Sequence, residues 1–176
     1  MKLSKNISYL AAGLLGVALL TGCQDTTRDL WKLGYHDLCE REGNNSVMCY
    51  DQPVTGSYIS KYDITVNAYN MNQNKHYIKD IDQYGVKEYW AHNDSIYEYL
   101  AGDCEDIAMT FAAQLIHDGY SADSIYLVVS GIDGVVNHTH ARVILDDGEV
   151  YDYNAIPSNT DIAYMRLDRT KMFIYF

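Results

Sequence analysis

The chain's apolar positions follow no single period. From Ile7 to Leu20 they form an almost unbroken run that includes Gly13 and Gly16. Through residues 24 to 60 no period dominates. Turn formers cluster at Gly43-Asn44-Asn45-Ser46 and at Pro53-Val54-Thr55-Gly56, which predicts an N-terminal helix followed by a loop layer. Over 61 to 100 the residues Val66, Tyr69, Asn70, Tyr77, Ile78 and Ile81 recur at near-helical spacing, so this tyrosine-rich stretch reads as helical.

From Asp103 the pattern sharpens. Ile107, Phe111 and Leu115 recur every fourth residue, with Ala108 and Ala112 beside them and Gly119 just past the end. That is the stripe of a buried helix with a glycine stop. Asp103 is a good N-cap, and Glu105 and Asp106 sit in the first turn, where the helix dipole favours acids. Ile125 to Ser130 is an apolar run of strand length, and Gly131-Ile132-Asp133-Gly134 turns the chain. His140 to Leu145 alternates, Asp146-Asp147-Gly148 is a hairpin signal, and Glu149 to Tyr153 returns. Helix followed by antiparallel strands predicts an α+β domain, with helices packed on an antiparallel sheet.

The opening run changes the reading of the first residues. Lys2 and Lys5, the apolar stretch, then Thr21-Gly22 before Cys23 give the order of a secretory signal over residues 1–22. A single membrane anchor is the alternative, but the run is short of the ~20 apolar residues a span needs. Leu20-Thr21-Gly22-Cys23 resembles the bacterial lipobox, which implies cleavage before Cys23 and a lipid on its sulfur. With Gln24 next, the resemblance points to the periplasmic face of the outer membrane ahead of the inner membrane. Residues 23–60 then form an anchor and a helix/loop layer, and 61–176 the core of one domain with that layer. The 176 residues carry 24 acidic against 13 basic side chains, a net charge of −11. Such a surface repels nucleic acid, and no basic stripe interrupts it.

The cysteines divide by role. Cys39 and Cys49 are close in sequence and would meet an oxidising compartment, so they are a candidate disulfide. Cys104 is left without a partner, at the start of a buried helix, where a thiol pKa is lowered. If Leu145 pairs with Glu149, Arg142 lies opposite Asp152, and His140 and Asp152 share a face as diagonal neighbours. A cysteine on a helix start facing a His–acid pair on adjacent strands is a nucleophile–base–orienter set. His138 shares the face of His140 and is the alternative base. Asp103, Glu105 and Asp106 crowd the thiol with negative charge, which suits a hard cation with oxygen ligands such as calcium. No zinc spacing is present. Trp90 is a core candidate first and a substrate-groove candidate second.

Gly102-Asp103-Cys104-Glu105-Asp106-Ile107-Ala108 resembles the nucleophile motif of the bacterial transglutaminase-like cysteine proteinases. His140-Ala141-Arg142-Val143-Ile144-Leu145 is similar to that family's histidine strand, and Val150-Tyr151-Asp152-Tyr153-Asn154 to its aspartate strand. Upstream, Val66-Asn67 and the stretch from Asp82 to Ala91 extend the likeness, which covers about residues 64 to 156. Asn93 and Ser95 stand where the family tends to carry proline and glutamate. The resemblance implies a papain-like or transglutaminase-like cysteine hydrolase fold, with Cys104 as nucleophile, His140 as base and Asp152 as orienting acid. It also implies calcium beside the nucleophile, an exported or surface protein such as an adhesin as substrate, and an inner-membrane regulatory protein as partner. Two other functions stay open: acyl transfer to an amine, and a lipid-anchored binding module that retains the fold.

Overall fold

The computed structural model describes residues 35–41, 49, 56–91, 100–167 and 173–175. The signal segment, Cys23 and most of the 42–55 loop layer lie outside these residues. No described helix is long and apolar enough to cross a membrane.

The fold is α+β. A five-stranded antiparallel sheet runs in the order β5-β4-β3-β6-β7, with β3 at Ile125–Ile132, β4 at Val135–Ile144, β5 at Val150–Tyr153, β6 at Thr160–Arg166 and β7 at Phe173–Tyr175. Helix α1 covers 35–41, α2 Lys61–Asn74, α3 Asp80–Gln83 and α4 Cys104–His117. Strands β1 (Lys75–Tyr77) and β2 (Leu100–Gly102) form a separate parallel ribbon. The predicted long helix over 61 to 100 therefore ends at Asn74. Its capping is local: the Ser60 hydroxyl accepts from the Asp63 amide at 3.1 Å, the bond of a side-chain N-cap, and donates to the Asp63 carboxylate at 2.7 Å. The face it buries is Ile64, Asn67, Ala68 and Met71. Val66 and Tyr69, from which the sequence reads the stripe, are exposed. Tyr77 continues not in a helix but in β1, opposite Gly102.

Helix α4 follows its pattern closely. Ile107, Ala108, Phe111, Ala112 and Leu115 enter the core with Leu127 and Val129 of β3, Ala141 and Val143 of β4, and Tyr153 of β5. The Phe111 and Tyr153 rings stack at 4.1 Å. The helix ends where Gly119 takes φ 90°. The amides of Gly119 and Tyr120 close on the carbonyls of Ile116 and Leu115, a double closure that a left-handed glycine permits. Asp103 is the N-cap residue, but its carboxylate accepts no backbone amide there. It is drawn instead into a cluster of acids described below.

The β4–β5 hairpin takes the register expected from its turn. Leu145 N donates to Glu149 O at 2.8 Å, and Arg142 pairs with Asp152. Ala141, Val143 and Tyr153 point toward α4, and the intervening His138, His140, Arg142 and Asp152 point the other way.

Candidate active site

Cys104 is the first residue of α4 and lies at the floor of a cleft of about 570 Å³. Tyr77 and Lys79 form part of one wall and His138 and Thr139 part of the other. The way it reaches the sheet follows from strand chemistry. Because Leu145 N donates to Glu149 O, the odd-numbered amides of β4 point toward β5. Strand β5 ends at Tyr153, opposite Ala141. Asn154 stops it by turning to φ 65°, a conformation asparagine tolerates better than most residues. The Thr139 amide is thereby left without a β5 partner, and it donates to the Cys104 sulfur. The helix start thus docks on an open sheet edge, one residue from His140.

His140 is buried, and its Nε2 lies 3.8 Å from Asp152 Oδ1. That is an ion-pair distance rather than a hydrogen bond. Both ring nitrogens are buried without a hydrogen-bond partner among the described residues. The structure therefore joins His140 to Asp152 and Cys104 to the backbone beside His140, but forms no hydrogen bond between the thiol and the imidazole. Burial holds the His140 imidazole below its ordinary pKa; Asp152 and Asp161 oppose this, while Arg142 and His138 add to it. His138, the alternative base, lines the cleft, and its Nε2 lies 2.5 Å from Asn154 O.

The thiol itself is held in its neutral form. Burial pushes the Cys104 pKa far above its ordinary value, and Glu105 and Asp103 push it further. Its Sγ donates to Glu105 Oε2 at 3.1 Å. The crowding exceeds what the motif alone suggests, because Asp80 and Glu88 join Asp103, Glu105 and Asp106. Ligating oxygens of Asp80, Glu88 and Glu105 lie within 4.8 Å of one another, as do those of Asp80, Asp103 and Asp106. Burial raises the Asp80 carboxyl to about 6, Asp106 to about 8 and Glu105 to about 10. Asp80 Oδ1, Asp103 Oδ1, Glu105 Oε1 and Asp106 Oδ2 are buried without hydrogen-bond partners among the described residues. Buried oxygens left unsatisfied in this number suit a hard cation better than an apolar core.

Several elements hold the cluster. Gly102 lets the Asp106 carboxylate fold back over β2: a Cβ there would stand 2.5 Å from Asp106 Oδ2. Ala91 N donates to Asp106 Oδ1 at 2.6 Å, Tyr89 N to Asp80, and Trp90 Nε1 to Glu88 Oε1 at 2.8 Å. Trp90 is 1% exposed and belongs to the core; it supports the acids from behind rather than lining the groove. Arg41 of α1 donates to Trp90 O and lies over the Tyr89 ring. The Cys39–Cys49 disulfide, Cα–Cα 5.1 Å, ties that helix to residue 49. Asp80 and Glu88 were not readable as site residues, since nothing in their sequence spacing links them to Cys104. Only the β1–β2 pairing and the return of 88–91 bring them there.

No curated protein matches the chain at a significant level. The helix-start cysteine, the antiparallel sheet behind it and the acid-rich approach are accompanied by a match to the family model of bacterial transglutaminase-like cysteine proteinases over residues 27–163, and the chain belongs to that family of cysteine proteinases.

Proposed function

We propose that this proteinase is a lipid-anchored endopeptidase of the periplasmic face of the outer membrane. It acts on an exported or surface protein through Cys104, His140 and Asp152, with calcium at the acid cluster. The observation that carries the reading is the docking of Cys104, at the start of α4, on the open edge of β4 one residue from a His140–Asp152 pair. His140 takes the thiol proton, and the sulfur attacks the scissile carbonyl. The amides at the start of α4 face the developing oxyanion. Collapse of the tetrahedral adduct breaks the C–N bond, and His140 delivers its proton to the leaving amine. Water, deprotonated by His140, then hydrolyses the thioester and restores the thiol. The thiol–imidazole hydrogen bond forms on substrate binding, since catalytic hydrogen bonds are commonly completed only in the substrate complex. Asp152 stabilises the imidazolium.

Calcium would be held by Asp103, Glu105 and Asp106, with Asp80 and Glu88 completing an oxygen-rich shell. Its charge would offset the acids around Cys104 and favour the thiolate. Glu105, engaged with the cation, would no longer accept the thiol proton's hydrogen bond.

The test is exposure of surface proteins from a strain lacking this protein to the purified enzyme, with new N-termini read by mass spectrometry. Wild type should generate a small set of cleavages. Cys104→Ala, folded by circular dichroism, should generate none, and equal cleavage by that variant would overturn the assignment. For the anchor, palmitate labelling should vanish in Cys23→Ser; retained label would place the lipid elsewhere.

A further inference from the structure

Asp152 does not face His140 alone. Arg142, directly across the β4–β5 pair, grips both its oxygens: Nε to Oδ1 at 2.7 Å and Nη2 to Oδ2 at 2.8 Å. The remaining Nη1 donates to Asp161 Oδ2 at 2.6 Å, from β6. All three side chains are between a quarter and a third exposed, so the network is only partly screened by solvent. A two-point guanidinium fork fixes the plane of a carboxylate as well as its position. It also cancels the carboxylate's charge, which would defeat an orienting acid. Asp161 restores the balance: with one cation and two anions the network keeps one net negative charge toward the imidazole.

We propose that Arg142 and Asp161 are positioning residues that clamp Asp152 beside His140 while leaving it electrostatically competent, an inference that rests on the His140–Asp152 roles assigned above. The charged and titratable groups facing His140 are Asp152 from β5, Asp161 from β6, and Arg142 and His138 from β4. Arg142 and Asp161 act on His140 with opposite sign, and a merely structural role would not reproduce that signature.

The test is a histidine-selective 15N NMR titration of the full chain, repeated in a Cys104→Ala background so that thiol ionisation is not mistaken for the imidazole's. Asp161→Asn should lower the His140 midpoint, Arg142→Gln should raise it, and the double variant should return it near wild type. Arg142→Lys, which keeps the charge but not the fork, should leave the midpoint in place. In turnover assays it should lower kcat roughly tenfold with KM unchanged, as should each single variant, since coupled members of one network lose about that much. Midpoints that move in the same direction in both singles, or not at all, would overturn the clamp. So would a loss confined to KM. Midpoints that move as expected in a protein without proteolytic activity would uphold the clamp and sink the peptidase reading instead. Should Asp161→Asn not fold, the Arg142→Gln and Arg142→Lys contrast decides the question alone.

Discussion

At the scale of single residues, the proposed catalytic set is defined by what surrounds each group more than by its identity. Cys104 is a buried thiol among acids, and burial and those acids push its pKa far above the ordinary value. His140 is a buried imidazole whose ring nitrogens have no hydrogen-bond partner among the described residues. Asp152 is the carboxylate paired with the imidazole, at 3.8 Å. Asp152→Asn should therefore yield a folded protein with kcat reduced on the order of 10³-fold or more, because the imidazolium loses its counter-charge. Steady-state kinetics beside a thermal melt would check this. Activity within a factor of a few of wild type would remove Asp152 from the mechanism and leave it as a surface partner of Arg142.

At the scale of elements, the site depends on two strand ends. Strand β5 stops at Asn154 and leaves the Thr139 amide for Cys104. Strand β2 stops at Gly102, and the missing Cβ gives the Asp106 carboxylate its place. Gly102→Ala should push Asp106 out of the cluster, because the neighbour it would strike is the Asp106 side chain itself, at 2.5 to 2.9 Å. The expected cost is about 1–3 kcal/mol of stability, as for other overpacked sites. Calcium affinity by calorimetry should fall at least roughly tenfold, since an anionic oxygen ligand is displaced. Unchanged calcium binding in a folded Gly102→Ala protein would exclude Asp106 from the cation site.

For the whole molecule, the acid cluster sets how stability responds to pH. A carboxyl whose folded pKa is raised binds protons more tightly folded than unfolded. Its contribution is fully present below the unfolded value and is lost as pH rises toward the folded one. For Asp80 that interval runs from 3.8 to about 6, and for Asp106 from 3.8 to about 8. Glu105 extends it from 4.5 to about 10. His140, depressed below 6.5, works in the opposite direction, one group against three acids. In chelator, the melting temperature should fall as pH is raised from acid to neutral. In calcium the slope should reverse, because deprotonation then favours ligand binding, and binding to the folded state stabilises it. Scanning calorimetry across pH, with calcium and with chelator, checks both arms. Coincident curves would show that the cluster holds no cation.

The sequence by itself determined the parts whose physics is local. The four-residue spacing from Ile107 to Leu115 marked α4, and Gly119 marked its end. The Asp146-Asp147-Gly148 turn set the hairpin register, because a one-residue slip would have moved every side chain to the other face. The motifs around Cys104, His140 and Asp152 carried the family. Tertiary structure decided what no period encodes. The helical spacing of Val66 and Tyr69 indicated a helix but not the face it buries, since tyrosine suits core and rim alike. The stretch after Asn74 became a strand because β2 was there to pair with it, and strand pairing is non-local. Asp103 reads as a cap but serves a cluster with Asp80, from a distant segment. Asp161 reaches Arg142 only because β6 lies beside β3 in the sheet. Charges act through space, so a spacing rule finds a nucleophile on its helix but not the carboxylates and guanidinium that tune it.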